Sequence, residues 1–471
     1  MFQINNLLVK YSETDVTILE KLNLSFEKNS CLGIVGNNGS GKTTLAHSIL
    51  GIIPNYHFGI VSGEFISSDF KKNIFNQTLN QRLNWISYVF QDVESQILFG
   101  TVADILGLNE ANTQKEIVNN LLEVLNARHL LSRNPSQLSS GESQKIALLS
   151  ALKNNPELII YDEATSALDP IMKRRFSKVI KTLLGFNKAI ILLSQRVSSI
   201  LPYCDSILVL EKKSITVYHD LSPVHNSSNY STFFNNVSNS VDIDSINIGH
   251  ISYHYKNNKD FRFEVKNLEF ASGETIAIIG ENGSGKTTFL NILNGFIKPN
   301  HFNISFTESD KYKVSDYIFT VFNSPSIQIT ESTISKELNF FMGNKNNVSL
   351  LEIYRHFPFL KTNIDPFELS FGQQRILCML CAIISSKPIL IFDEPELGID
   401  ETNLNLFKDF VRWNKVNHKK IILYVTHDLE LAKNYSDRVI IFRDGIITSD
   451  KKTNSIDNFD TLFENDIISF V

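Results

Sequence analysis

Gly36-Asn37-Asn38-Gly39-Ser40-Gly41-Lys42-Thr43-Thr44 and Gly280-Glu281-Asn282-Gly283-Ser284-Gly285-Lys286-Thr287-Thr288 are two copies of one nine-residue pattern. Each has the phosphate-loop form G-x-x-x-x-G-K-[ST], in which backbone N–H groups cradle phosphates, a lysine reaches them and a hydroxyl meets magnesium. A Gly-rich turn with no ligand would also fit one copy. Two copies, each behind an apolar run and ahead of a helical pattern, point to a tandem nucleotide-binding chain with magnesium (Mg2+) at each loop.

The runs Ser30–Val35 and Thr275–Ile279 read as buried strands, and Thr43–Leu50 and Thr287–Leu293 as the helices behind them. Leu158–Tyr161 and Ile389–Phe392 are further strands, each ending in Asp-Glu. Ala189–Leu193 and Lys420–Val425 make a third pair. Strands alternating with helices predict an α/β fold with mainly parallel sheets covered on both faces. The repeat divides the 471 residues into domains at 1–221 and 246–471, joined by the Asn/Ser-rich segment 222–245, read as a flexible linker. Phe233 and Phe234 could pin part of it to a surface.

Hydrophobic residues make up 42% and charged residues 20%, an ordinary globular balance. A net charge of −5 argues against a general nucleic-acid-binding surface. No run is long and apolar enough to cross a bilayer, and the start is not that of a secretory signal. Cys378 and Cys381 form a C-x-x-C, but inside an apolar helical stretch without a second pair, which favours core packing over zinc or redox chemistry.

Asp162 and Asp393 end apolar strands, where a carboxylate can share a magnesium ion with Thr43 or Thr287. Glu163 and Glu394 follow directly, on the other side of the strand by alternation, and can polarise a water. Leu138-Ser139-Ser140-Gly141-Glu142 and Leu369-Ser370-Phe371-Gly372-Gln373 precede these strands. Each is expected to open a helix, over Gln144–Leu152 and Gln374–Ile384, whose start can meet an anion.

This order of motifs, with Gln91 or Asn323 between phosphate loop and signature, resembles the ATP-binding cassette (ABC) ATPases over nearly the whole chain. The resemblance implies two ABC ATPase domains, each with a small helical subdomain. They would pair head to tail, with each ATP between one domain's phosphate loop and the other's signature. One site would then join Lys42, Gln91, Asp162 and Glu163 to Ser370, Gly372 and Gln373. The other would join Lys286, Asn323, Asp393, Glu394 and His427 to Ser139, Gly141 and Glu142. Gln91 would also approach the metal. Tyr11 and Tyr255 sit where the family stacks an aromatic on adenine, though a core tyrosine fits both places too.

Departures from the family pattern imply unequal sites. Gln195 takes the place of His427 in the first half, Asn323 shortens the Q-loop glutamine, and Glu142 puts a carboxylate near a nucleotide. The site holding Glu394 and His427 is expected to hydrolyse faster.

Tyr88-Val89-Phe90-Gln91-Asp92-Val93-Glu94-Ser95-Gln96-Ile97-Leu98 is similar to the V-F-Q-[ND]-P-x-x-Q-[IL]-F pattern of energy-coupling factor (ECF) importer ATPases, with Val93 in place of the usual Pro, and Val321–Ile329 echoes it. That resemblance implies integral membrane partners, a peripheral position on the cytoplasmic membrane face, and import of a vitamin, vitamin precursor or metal ion. A tandem sugar-importer ATPase is a second reading, although such proteins alter the lysine kept here as Lys286. A translation-associated ABC protein is a third, disfavoured by the short linker with little charge and by His427.

Overall fold

The computed structural model describes residues 1–11, 17–37, 39–68, 73–90, 100–108, 115–138, 140–163, 165, 168–211, 214–217, 230–234, 243–255, 258–306, 314–342, 348–360, 363–417 and 420–459. Two compact units form, Met1–Val224 and His225–Val471.

In the first unit a six-stranded sheet runs Ile86–Val89, Leu158–Asp162, Ala189–Ser194, Cys31–Val35, Ser206–Glu211, Ser214–Val217. Its first five strands are parallel. The strands are apolar on both sides because both faces are covered. Ile159, Tyr161, Ile190 and Leu192 pack into one core with Leu121, Leu122, Ile146, Leu149 and Phe176 of the helices. Their neighbours Leu158, Ile160, Ile191 and Leu193 face the other core, which holds Leu45 and Ile49 of the phosphate-loop helix. The period of two along each strand thus sorts one apolar run into two cores. An antiparallel sheet, Thr17–Phe26, Phe2–Tyr11 and Gly59–Ser67, completes the second core.

The second unit merges the equivalent strands into one nine-stranded sheet. Thr275–Gly280 lies between Arg438–Arg443 and Ile421–Val425, followed by Ile389–Asp393 and Ile318–Val321, all parallel. In both units the carboxyl ends of the parallel strands share one edge, where ligands of open α/β sheets bind. Register puts Val35 beside Ser194 and Asp162 beside Leu193; Asp393 and Ile278 both stand beside Val425.

The helices start slightly earlier than the sequence suggests. The phosphate-loop helices are Lys42–Leu50 and Lys286–Leu293. The signature helices are Ser140–Ser150 and Phe371–Ile384, beginning inside the signatures rather than at Gln144 and Gln374. The reason is capping: Ser370 Oγ accepts from Gln373 N, and Ser370 N donates to Gln373 Oε1 at 3.0 Å, so polar residues that look like loop close the first turn. Cys378 and Cys381 are buried along this helix, and burial raises both thiols, Cys378 to about 12. Both side chains pack into the buried face of that helix.

The second half is shorter between Lys286 and Asn323, and the structure shows what is missing. The first unit has a helix Leu79–Leu83 whose Arg82 is fully buried. Arg82 donates to the carbonyls of Ser48 (2.7 Å) and Ile49 (3.1 Å) at the end of the phosphate-loop helix, and to those of Phe75 and Gln77. Burial lowers its pKa to about 10. It satisfies carbonyls that a helix end leaves open. The second unit has no such helix among the described residues, and Asn294 Nδ2 caps Leu290 O instead.

Part of the segment read as a flexible linker is held. Ser231–Phe234 is a helical turn, and Phe233 and Phe234 are fully buried. Phe234 packs on Phe410 and Trp413, Phe233 on His356, and Tyr230 stacks on Phe357. These aromatics anchor the turn within the second unit, the pinning that Phe233 and Phe234 suggest in the sequence.

Candidate functional site

Each phosphate loop leaves its strand with a glycine that allows close approach. A Cβ on Gly36 would lie 2.5 Å from Leu210 O, and one on Gly280 2.4 Å from Phe442 O. Gly41 and Gly285, at φ 104° and 107°, turn the chain left-handed into the helix, which a side chain would strain. The lysines fold back beneath the loops. Lys42 Nζ donates to Gly36 O (2.6 Å) and Asn37 O (3.2 Å); Lys286 Nζ donates to Gly280 O (2.8 Å) and Glu281 O (2.7 Å). Both ammonium groups are buried.

Inside each loop one polar atom is left over. Ser40 Oγ and Ser284 Oγ are buried without a hydrogen-bond partner among the described residues. A buried hydroxyl in that state is costly. The same orphan at matching places, beside a buried ammonium and a helix N-terminus, is what a phosphate would satisfy. The residues therefore fit ATP.

In the first unit Lys42, Thr43, Thr44, Asp162, Glu163 and Gln195, with Ile18, Gly39 and Gly41, line one cavity of about 320 Å³. Thr43 Oγ1 donates to Asp162 Oδ2 at 3.1 Å, which brings the two predicted magnesium ligands together. The same carboxylate oxygen accepts from Tyr88 OH at 2.5 Å, a partner that sequence reasoning missed. Burial and the Asp162 carboxylate push the Tyr88 phenol upward. Thr320 stands at the matching place in the second unit.

Glu163 and Glu394 share a feature that strand alternation alone does not predict. Both are left-handed, at φ 53° and 51°, and their amides donate to Leu193 O (3.0 Å) and Val425 O (2.9 Å) of the neighbouring strand. The strand ends at the aspartate, and the glutamate turns aside toward the next strand's loop. A non-glycine residue held left-handed stores strain, as functional sites often do.

The two glutamates meet different surroundings. Burial raises Glu163 to about 7, opposed by Lys42, Arg196 and a hydrogen bond from Gln195, and reinforced by Asp162. Burial also pushes Glu394 up, but His427, at 3.2 Å from Nε2 to Glu394 Oε1, outweighs it together with Lys286 and Arg375, so this carboxyl sits below its ordinary value. Asp393 is raised to about 7 by burial and by Glu394. Thr287 is exposed at the place matching Thr43.

Tyr11 and Tyr255 reach the same atom of their respective loops. Tyr11 OH lies 3.4 Å from Thr44 Oγ1, and Tyr255 OH 2.9 Å from Thr288 Oγ1. Asn323 is exposed, but its carbonyl accepts from the buried Arg375 at 2.6 Å. Arg375 also donates to Asp393 O (3.0 Å) and Glu394 O (2.5 Å), which ties the Asn323 loop to the end of the carboxylate strand. Its place in the signature helix, two residues beyond Gln373, was a signal available in the sequence. Gly372 is buried and Ser370 exposed at the start of that helix; Gly141 is half-buried in the first unit. Glu142 is not a bare charge: Arg133 Nη1 donates to it at 3.1 Å, and His129 lies 3.9 Å away. Asn38, Gln91 and Ser139 lie outside the described residues.

The profile of the ABC transporter family matches residues 19–166 and 263–396, more than half of the chain. A Methanosarcina mazei protein, named as a candidate ABC transporter ATP-binding protein, is 29% identical over 98% of this chain and 96% of its own. A candidate HMP/thiamine import ATP-binding protein, YkoD of Bacillus subtilis, is 26% identical over 94% of this chain and 90% of its own. Among solved structures, the archaeal ribosome recycling factor aABCE1, in complex with stalk protein aP1, superposes with a TM-score of 0.70 at 21% identity, covering 95% of this chain and 90% of its own; the likeness is one of fold. The chain belongs to the ABC transporter family, with two ABC ATPase domains in tandem.

Proposed function

We propose that this chain is the ATP-hydrolysing subunit of an ECF-type membrane importer for a vitamin, vitamin precursor or metal ion. The observation that carries the transport reading is exposed apolar surface beside both Q-loop segments. Phe90, immediately before Gln91, is exposed, and so are Phe296, tilted against Phe322 with ring centroids 5.7 Å apart, and Ile327. On each unit by itself, a membrane protein's cytoplasmic loop can cover such groups. The HMP/thiamine import name of the Bacillus subtilis relative agrees. No helix among the described residues is long and apolar enough to cross a membrane, so membrane subunits would supply the pathway.

In this reading the halves close head to tail on two ATP, and fusion in one chain raises their effective concentration. Lys42 and Lys286 hold the phosphates, with the loop amides and the facing signature residues Ser370, Gly372 and Gln373, or Ser139 and Gly141. Tyr11 and Tyr255 lie toward the adenine. Thr43, Asp162 and Gln91, and Thr287 with Asp393, would hold a magnesium ion, whose chemistry there is to offset charge on the transferring phosphoryl group. Glu394 and Glu163 polarise the attacking water, with His427 and Gln195 beside them. Asn323 and Gln91 pass the motion to the membrane subunits.

Purification of the tagged chain from native membranes in mild detergent tests the proposal. Integral membrane proteins should co-purify in fixed ratio and stimulate ATP turnover. A chain that sediments with ribosomes and leaves the membrane fraction empty would overturn the transport reading.

A further inference from the structure

The loop that carries His427 is held by a second carboxylate. Glu396 is buried. Its Oε1 accepts from Thr426 Oγ1 at 2.5 Å and from His427 N at 3.2 Å. Thr426 Oγ1 accepts in turn from Asp428 N at 2.9 Å, so three successive residues of the loop are fixed around one oxygen pair. From this loop the His427 ring reaches Glu394 at 3.2 Å. One carboxylate therefore fixes the backbone and another meets the ring.

The first unit supplies an internal comparison. Ser194 stands where Thr426 does, and its Oγ accepts from Arg196 N at 3.1 Å in the same way. The hydroxyl-to-amide link is thus common to both halves. Three residues about it are not. Thr165, buried, replaces Glu396; Gln195 replaces His427; and Gln144, five residues past Ser139, replaces Arg375, five past Ser370.

These exchanges form a set. A buried carboxylate is costly unless charge and hydrogen bonds compensate it. Glu396 is foremost among the carboxylates opposing the buried Arg375 guanidinium. Arg375 in turn grips the carbonyls of Asp393 and Glu394. Where the histidine is absent, the carboxylate that holds its loop and the arginine that balances that carboxylate are absent too.

We infer that Glu396 is a positioning residue for hydrolysis in the second half: by holding Thr426 and the His427 amide, it aims the imidazole at Glu394. The inference rests on the reading that Glu394 and His427 serve ATP hydrolysis.

The test is steady-state ATP turnover by the full chain carrying Glu396→Ala, His427→Ala, both together, Glu396→Gln or Thr426→Val. Glu396→Ala should lower kcat about tenfold or more while KM for ATP moves less than about twofold, since misplacing a catalytic group costs turnover rather than binding. The double variant should be no slower than His427→Ala alone, because Glu396 acts through the histidine. Glu396→Gln keeps an acceptor oxygen and should recover most of the turnover; Thr426→Val should fall between. Wild-type kcat in Glu396→Ala, or losses that multiply in the double variant, would overturn the inference. Should Glu396→Ala fail to fold by circular dichroism, unchanged kcat in Thr426→Val overturns it instead. A wild-type chain without ATP turnover sinks the functional reading itself, whereas normal wild-type turnover with an unaffected Glu396→Ala sinks only this inference.

Discussion

His427 Nε2 stands 3.2 Å from Glu394 Oε1, while at the matching place in the other half Gln195 is hydrogen-bonded to Glu163. An imidazole can carry positive charge near neutral pH and an amide cannot. The first pair fixes an ionised carboxylate in direction. The second leaves a carboxyl that burial raises to about 7 and so keeps partly protonated near neutral pH.

Turnover of Glu394→Gln and Glu163→Gln, measured separately, should therefore differ. We expect Glu394→Gln to lose on the order of a hundredfold, within the range for a lost general base, and Glu163→Gln about tenfold or less. The higher pKa of Glu163 makes it the stronger base and narrows the gap without closing it. Equal losses would remove the asymmetry.

Glu163 also gives the protein a pH-dependent stability, measured without nucleotide or metal. Its folded pKa, about 7, lies above that of an unfolded glutamate. The unfolded chain then releases the proton first, so the wild type loses stability as pH rises from about 4.5 through about 7. Relative to Glu163→Gln, its Tm should fall by on the order of 10 °C over that span, because a rise from 4.5 to about 7 amounts to about 3 kcal/mol and a unit of this size loses roughly 2–4 °C per kcal/mol. A difference between the two that stays flat with pH contradicts the assignment.

Arg82 is a structural cation. Arg82→Ala would leave four carbonyls without their donor and open a cavity beside Gly51. A loss of about 3–5 kcal/mol is expected. Urea unfolding should show the first unit's transition moving while the second unit's stays. A shift below about 1 kcal/mol would mean that water replaces the guanidinium at little cost.

Arg133 should matter for binding more than for folding. Its pair with Glu142 is partly exposed, so Arg133→Ala should cost less than about 1 kcal/mol in stability. On the head-to-tail reading it also uncovers a carboxylate beside a nucleotide, and should weaken binding of a fluorescent ATP analogue several-fold. Glu142→Gln in the same chain should restore it. Unchanged affinity in Arg133→Ala would separate Glu142 from the nucleotide.

The strands, phosphate loops and paired carboxylates were legible because each is local: an apolar run, a glycine spacing or an Asp-Glu at a strand end needs only its neighbours. Helix starts were missed by a few residues because Ser370 and Gln373 close their first turn with side chains that also suit a loop. Tyr88 and Arg375 escaped notice because a tyrosine in a strand and an arginine near the start of a helix have many ordinary uses. Glu142 was seen, but not Arg133, nine positions earlier, which answers its charge.

The sequence alone determined that two phosphate-binding α/β units stand in tandem, since backbone conformation at the loops and burial along the strands follow from residue type and period. Only the tertiary structure decided what each carboxylate meets. Whether Asp162 faces Tyr88, Glu394 faces His427 or Glu396 grips Thr426 depends on strands and loops far apart in the chain converging at the carboxyl edge of each unit's own sheet. The strength and ionisation of each group are set by distance and desolvation at that edge, quantities that no local pattern encodes.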